Sequence, residues 1–455
     1  MKNLMRTRKW IPALFAVVAL PAAGLVAQQR LTLQQAVQSV LAGNPELAID
    51  APARAAAAAE LAAGKAGYRP RLDVEQSVLG GNNPVYVFGT LLTQRQFTAA
   101  DFALGSLNTP DPLQNLQTRV QAQQNIWDFG RTRQRIESAR LGVEVADLAH
   151  ADHVQQTLLA VIETYYSVSL ARSSLEAARA ALQSAEALVE QSRARVQSGL
   201  ALEADLLRSQ VCQATARGQE IQARGQEEQA RAALNRLMGA PLGQDFGETA
   251  PLTRVTAPVP AEEPLLASLR KNRPGYQRLE VEVKQAELDV RGRKTQFLPT
   301  LGAFAAWEAD NPSVAEAGGH NWLAGITLRW NVYAGGSDSA QLQAARARLE
   351  MKQRQLQALE SDLQLEVRRA LIRVRSAGQQ VAAMQAAEAQ SEESLRVLKN
   401  RYEAGLATMS DLLSAEAARS AARTTLAQAI YQQRLSFAQL EYAAGILSPD
   451  SSSMR

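Results

Sequence analysis

The chain is poor in the residues on which catalysis and cross-linking depend. In 455 residues it holds one cysteine and three histidines. A lone Cys212 excludes an intramolecular disulfide, and its place in a helical stretch, Gly199 to Gly239, suits a small buried hydrophobe better than a reactive thiol. His150 and His153 flank Asp152 at helical spacing, but no third ligand pattern stands near them, so solvated helix polarity is the better account and no metal site is expected. His320 falls in a hairpin loop. Phosphate loop, nucleophile elbow and dinucleotide fingerprint are all missing, so neither an enzyme nor a cofactor is expected.

An excess of charge is missing as well, once the first residues are set aside. Lys2, Arg6, Arg8 and Lys9 form a basic start, Trp10 to Leu25 an apolar stretch, and Leu25-Val26-Ala27 a small-residue cleavage site. This predicts a signal peptide over 1–27. A permanent anchor fits less well, because the apolar core is short and contains Pro21. Cleavage takes four of the 49 basic residues and leaves 45 against 45 acidic ones, which removes any argument for nucleic-acid binding. Gln28 stands where a lipoprotein would need its cysteine.

What is abundant is Ala, Gln, Leu, Glu and Arg, the usage of long helices. It is also written twice. Gly130 to Gly239 can be laid over Gly336 to Gly445 with a constant offset of 206 and no gap: Gly199-Leu200-Ala201 falls on Gly405-Leu406-Ala407, and Asp205-Leu206-Leu207 on Asp411-Leu412-Leu413. A period this long is no solenoid, so each half forms part of one pseudo-symmetric object. From Asp147 to Gly199 an apolar residue recurs every seven positions (Val154, Val161, Val168, Leu175, Leu182, Val189, Val196), followed three residues on by Thr157, Thr164, Ala171, Ala178, Ala185 or Ser192. The second copy repeats it with Val367, Val374, Val381, Leu395 and Tyr402, interrupted at Glu388. A sustained heptad with small residues in its second seam predicts close coiled-coil packing. With no proline from Arg131 to Ser198, the helix would run on the order of 100 Å. Gly199 and Gly405 then offer the reversal, so long helical hairpins are expected over 131–238 and 338–444.

Shorter helices are expected before them, over 31–67 and 262–296, with Pro45 and Pro274 near their starts and Pro70 and Pro299 as stops. Their offset is 229, so the first repeat carries 23 extra residues in its non-helical part. There the period changes from seven to two. Trp322, Ala324, Ile326, Leu328, Trp330 and Val332 alternate with Leu323, Gly325, Thr327, Arg329 and Asn331, and Leu72, Val74, Gln76 and Val78 with Asp73, Glu75 and Ser77. Hairpins are therefore expected at 72–79 with 118–127 and at 300–308 with 321–333, the first spanned by a long loop, 80–117, that faces outward and could lie over a barrel mouth. Strands of this length match tilted transmembrane strands. Trp127, Trp307, Trp322 and Trp330 lie in or beside them as interfacial anchors, and Trp322, Ile326, Leu328 and Trp330 are read as facing lipid. A half-buried sheet in a soluble domain is the competing reading of the alternation alone. Four strands cannot close a membrane barrel, so copies must share one, and three would supply twelve. The remaining divisions are repeat 1 over 28–239, a linker at 240–261, repeat 2 over 262–445 and a tail at 446–455.

Taken together, the leader, the doubled order of helix, β-hairpin and helical hairpin, and the motif Arg401-Tyr402-Glu403-Ala404-Gly405-Leu406-Ala407-Thr408-Met409-Ser410-Asp411-Leu412-Leu413 with its copy Val196 to Leu207 resemble the TolC-like outer-membrane efflux family. The resemblance covers Leu31 to Gly445. It implies an α+β membrane protein: a homotrimer whose shared β-barrel, four strands per protomer, sits in outer-membrane lipid above a long α-helical coiled-coil barrel in the periplasm of a Gram-negative-type bacterium. It also implies a passive conduit for efflux or type I secretion, engaged by a periplasmic adaptor (membrane fusion) protein and an inner-membrane pump of RND, MFS or ABC type. Gly199, Leu200, Ala201, Gly405, Leu406 and Ala407 match the family's tips, which meet the adaptor. Asp205 and Tyr402 match positions that link neighbouring tips, Asp411 an acid near the constriction, and Arg401 stands beside them as a gate candidate. Helix capping is the alternative for Asp205 and Asp411. Ala407 and Ser414 depart from the pattern, standing where an arginine and a second acid can occur. The competing function is a secreted coiled-coil structural or adaptor protein without a pore. Nothing in the residues names the cargo.

Overall fold

A computed structural model describes residues 30–454; the expected leader, 1–27, lies outside the described residues. The two longest helices repeat with the predicted offset. Helix α5 runs Arg131–Gln197 and α9 runs Ser337–Glu403, 67 residues each, which is about 100 Å at ~1.5 Å per residue. Their return partners are α6 (Glu203–Met238) and α10 (Met409–Ala443). Glycines punctuate both copies in the left-handed conformation that only they adopt without strain. Gly130 and Gly336 precede the long helices at φ +86° and +83°, Gly199 and Gly405 turn the tips at +74° and +76°, and Gly239 and Gly445 end the returns at +70° and +73°. The heptad residues Val161, Val168, Leu175 and Val189 are buried, as are Val367, Val374, Val381, Leu395 and Tyr402 of the second copy. Thr157, Ala185 and Ser192 fill the small-residue seam.

The shorter helices are broken where single ones are expected. Instead of 31–67 there are α1 (Leu33–Gly43), a 3₁₀ turn (Leu47–Ile49) and α2 (Asp50–Ala66); instead of 262–296 there are α7 (Glu262–Asn272) and α8 (Pro274–Thr295). Pro45 and Pro274 thus divide pairs of helices and do not open single ones. The reason is the restriction a proline places on the residue before it, which is pushed out of the helical region: Asn44 takes φ −65°, ψ 122° and Arg273 φ −88°, ψ 106°. Both joints dock on the glycine that ends a return helix. Asn44 Nδ2 donates to the Leu237 carbonyl at 2.9 Å, and the Arg273 guanidinium donates to the Tyr442 carbonyl while lying 3.9 Å over the Tyr442 ring. A Cβ on Gly239 would stand 2.0 Å from the Gly43 carbonyl oxygen, and one on Gly445 2.7 Å from that of Asn272. These two positions require glycine twice over, for φ and for close approach.

Between the helical parts lies one four-stranded antiparallel sheet in the order β1 (Arg71–Gly81), β2 (Leu113–Trp127), β3 (Thr300–Asn311), β4 (Gly319–Arg329). The strands exceed their expected bounds except at the end of β4, which stops at Arg329. Trp330 and Val332 therefore follow the strand, and His320 lies inside it. The segment expected as a loop over 80–117 is shorter and ordered: it holds α3 (Pro84–Thr93), a 3₁₀ turn (Ala99–Phe102) and α4 (Leu104–Asn108). Asn83 caps α3 by accepting from the Val85 and Tyr86 amides, and Pro84 occupies the first helical position.

The main core forms where α1, α5, α6 and α10 meet, around Tyr165, Ile162, Leu158 and Leu234, and the chain's later segments close over it. In the stretch 240–261, Ala250 N–H donates to the Tyr165 hydroxyl at 2.9 Å, which itself donates to the Leu31 carbonyl at 2.7 Å. Gln433 brackets Val255 through both of its backbone groups. The tail returns as well, burying Met454 in this core.

Candidate functional site

The sequence points to two places, the hairpin tips and the faces of the sheet. At the first tip, Leu200 N–H reaches back to the Arg195 carbonyl at 2.8 Å across Gly199; at the second, Leu406 N–H does the same to Arg401 at 2.8 Å across Gly405. The reversals leave leucines in solvent, Leu200 at 76% and Leu202 at 72% exposure in the first and Leu406 at 69% in the second. Ala201 and Ala407 beside them are half-buried.

The tips differ in their caps. Thr408 and Asp411 form a reciprocal capping box: Thr408 Oγ1 accepts from the Asp411 amide at 3.2 Å, and Asp411 Oδ2 accepts from the Thr408 amide at 3.0 Å and its hydroxyl at 2.6 Å. The Thr408 hydroxyl, then its amide, hold the Asp411 carboxyl below its ordinary range. In the first repeat Leu202 occupies the cap, so Asp205 has no such partner and sits 3.9 Å from Arg208, one turn on. Tyr402 is buried within its own chain, against Leu188, Leu395, Met409 and Leu412. Its ring lies 4.7 Å under the Arg195 guanidinium, which also reaches toward the Glu403 carbonyl at 3.5 Å. Arg401 stays exposed at the tip, 3.5 Å from the Leu406 carbonyl. This contact between the two hairpins through Arg195 had no signal in the repeat, since Arg195 falls on Arg401 under the offset and only one of the two covers a ring.

Above the tips the two hairpins part to leave a cavity of about 680 Å³, lined chiefly by small side chains such as Ala178, Ala185, Ala216 and Ala421 and including Cys212 and Glu416. Cys212 is half-buried; burial first, and Glu416 second, push its thiol above the ordinary value. His150 and His153 turn away from Asp152. Their Nδ1 atoms lie 2.8 Å and 3.1 Å from Asp50 Oδ2, so one carboxylate at the start of α2 ties that helix to α5. Burial raises the Asp50 pKa, but the bonds to His150 and His153 outweigh it and leave the carboxyl below its usual range.

The sheet is two-faced by register. Across all four strands one face carries Asp73 and Glu75, Gln117, Arg119 and Gln121, Glu308 and Asp310, and Thr327 and Arg329. The other carries Leu72, Val74 and Val78, Val120 and Ala122, Leu301, Ala303 and Trp307, and Trp322, Ala324, Ile326 and Leu328. Trp322 is 79% and Ile326 70% exposed in the single chain. Trp330, beyond the strand, donates its indole N–H to the Phe297 carbonyl at 3.1 Å. No helix among the described residues is long and apolar enough to cross a membrane. Arg131, at the start of α5, donates to the carbonyls of Thr295 at 2.6 Å and Leu298 at 2.8 Å and so ties α5 to the end of α8 just before β3.

Known proteins share this arrangement. The family model described as outer membrane efflux protein matches residues 36–240 and 265–446. Alkaline protease secretion protein AprF of Pseudomonas aeruginosa is 27% identical over 350 residues, 71% of this chain and 68% of the relative. Proteases secretion protein PrtF of Dickeya chrysanthemi is 23% identical over 432 residues, 92% and 89% of the two chains. Among solved structures, the fold is similar to that of the Campylobacter jejuni CmeC outer membrane channel, with a TM-score of 0.77 at 18% identity over 92% of this chain and 87% of that one. It is also similar to CusC, with a TM-score of 0.76 at 18% identity over 97% and 98%.

Proposed function

The chain belongs to the outer membrane efflux protein family, and from that premise we propose that three copies build one passive conduit from the periplasm to the exterior. The observation that carries this reading is the sheet: four strands of 11 to 15 residues with one apolar and one polar face, and with β1 and β4 unpaired at its edges. Unpaired strand edges in lipid would leave backbone groups unsatisfied, so the sheet closes by joining copies. Three give twelve strands, an even number of the kind such barrels use. The apolar face, with Trp322, Ile326 and Leu328, meets outer-membrane lipid; the polar face lines water; and the four long helices of each copy continue the wall into the periplasm.

In this reading the chain is exported by its leader, and the tips at Gly199-Leu200-Ala201 and Gly405-Leu406-Ala407 meet a periplasmic adaptor that couples to an inner-membrane pump of RND, MFS or ABC type. Asp205, Arg401, Tyr402 and Asp411 bound the periplasmic aperture. Two relatives are named for protease secretion, which favours a secreted polypeptide as cargo; small-molecule efflux is the second reading, favoured by the family's own description. The native mass of the detergent-extracted protein tests the assembly. Three copies are expected. A water-soluble monomer would instead support a coiled-coil structural role.

A further inference from the structure

The 23 additional residues of the first repeat lie in a segment, 82–112, that does not extend freely away from the sheet. The strand side chains and glycines that hold it lie on the polar face, and backbone carbonyls of β2 and β4 complete the hold. Gln94, 2% exposed, donates to the Gln114 carbonyl at 2.8 Å and to Asn115 Oδ1 at 3.0 Å; Asn115 in turn donates to Asp310 Oδ1 at 2.6 Å. A Cβ on Gly81 would touch the Tyr86 ring at 3.9 Å, and one on Gly319 would stand 2.1 Å from the Thr93 carbonyl oxygen. By register Gly81, Asn115, Asp310 and Gly319 share the face of Glu75, Arg119 and Glu308. They represent all four strands, each at the end remote from the helices. Arg95, held at φ +58°, completes the clasp by donating to the His320 carbonyl at 3.1 Å.

The segment also leaves large apolar side chains bare. Val85 is 82%, Leu104 77% and Phe102 65% exposed. Only three of the segment's residues carry a charge, Arg95, Asp101 and Asp111. A loop bathed in external water has no reason to present such a surface, and scattered exposure does not account for apolar residues beside the edge-to-face rings of Phe88, Phe97 and Phe102. We propose that segment 82–112 is seated inside the outer end of the shared barrel, where Val85, Phe102 and Leu104 pack against the same segment of the neighbouring copies and close the outer mouth.

The partner is a second copy of this chain, because the polar face is the one that copies turn toward each other around a common axis; the inference rests on the shared-barrel reading above. Dimensions decide whether the copies can meet. Twelve strands spaced ~4.8 Å apart and tilted ~40° enclose a space about 24 Å across between backbones. Three helical segments, each ~10 Å thick and laid against that wall, leave no open path between them. The conduit then has a constriction at each end, an outer one of apolar contacts and an inner one at the tips.

Site-directed cross-linking of the full mature protein tests this. In a Cys212→Ser background, Leu104→Cys and, separately, Phe102→Cys are treated with a short bismaleimide, with Trp322→Cys on the lipid face as control, and native mass is measured in parallel. The expected result is a trimer in which both segment variants cross-link between copies and the control does not. A trimer whose segment cysteines stay monomeric on a denaturing gel and react freely with an impermeant maleimide on whole cells would overturn the plug and leave the conduit standing. A chain that is monomeric before cross-linking would overturn both.

Discussion

At the scale of single residues, the tips are held by backbone geometry and by contacts inside one chain. Gly199 and Gly405 have open space where a Cβ would stand, so alanine there meets no clash and costs only the left-handed backbone, about 1–2 kcal/mol. Gly405→Ala is expected to raise amide exchange at the second tip by roughly five- to thirtyfold with little change at the core. The Tyr402 ring is packed beneath Arg195 and against Leu395 and Leu412, so Tyr402→Ala removes core packing worth on the order of 3 kcal/mol or more, and a leaky channel would then say nothing of a latch. Tyr402→Phe keeps the packing and removes the hydroxyl. Paired with Asp205→Asn it is expected to raise conductance where these groups close the aperture; unchanged conductance would leave them to packing and helix-end electrostatics.

Acid acts on the same scale. Asp50 and Asp411 both have carboxyl pKa values below the ordinary 3.8. For a depressed carboxyl the stabilisation is present above the unfolded value and is lost as pH falls through the lower folded value. The α2–α5 clasp at Asp50 and the second-tip cap at Asp411 are therefore expected to hold from neutral pH down to about 4 and to weaken below it. Amide exchange of 50–60 and 405–412 compared at pH 5 and pH 3 checks this, and Asp50→Ala should abolish the change in the first stretch while leaving the second.

At the scale of elements, the heptads, the repeat and the alternation of the strands are legible because each is a local periodicity. The helix α5 ends within one residue of its expected end, and the shared face of Trp322, Ile326 and Leu328 follows from alternation. The breaks at Pro45 and Pro274 were readable as punctuation, but not as joints. What makes them joints is the docking of Asn44 and Arg273 on carbonyls 193 and 169 residues away, and such long-range partners leave no periodic trace. The same holds for Asp50 with His150 and His153, a cluster assembled from two helices, and for α3, whose C-cap Gln94 bonds to Gln114 and Asn115 of β2. The strand facing itself is open to direct trial. Ile326→Arg places a cation on the apolar face of β4 and is expected to cost about 2–4 kcal/mol of membrane-embedded stability, whereas Thr327→Arg, one residue on and facing the polar side, should cost little. The yield of heat-modifiable assembly in outer-membrane fractions compares the two; equal yields would reverse the assigned faces.

At the scale of the whole molecule, three features belong to one design: a sheet that cannot close alone, helices about 100 Å long that cannot bury themselves in one copy, and a pseudo-symmetric repeat that supplies equivalent wall segments. Each leaves a surface for another copy to cover. The polar face gathers Asp73, Glu75, Arg119, Glu308 and Arg329 on one side of the sheet, and Leu200 and Leu406 stand bare at the tips. The family and the fold place the chain among outer-membrane channels.

Whether this chain makes a pore is read from single-channel conductance of the mature protein in planar bilayers. Discrete, reproducible steps of small size are expected from the detergent-extracted assembly, enlarging in Tyr402→Phe with Asp205→Asn. A chain that extracts without detergent and yields no steps at any protein concentration would contradict the account.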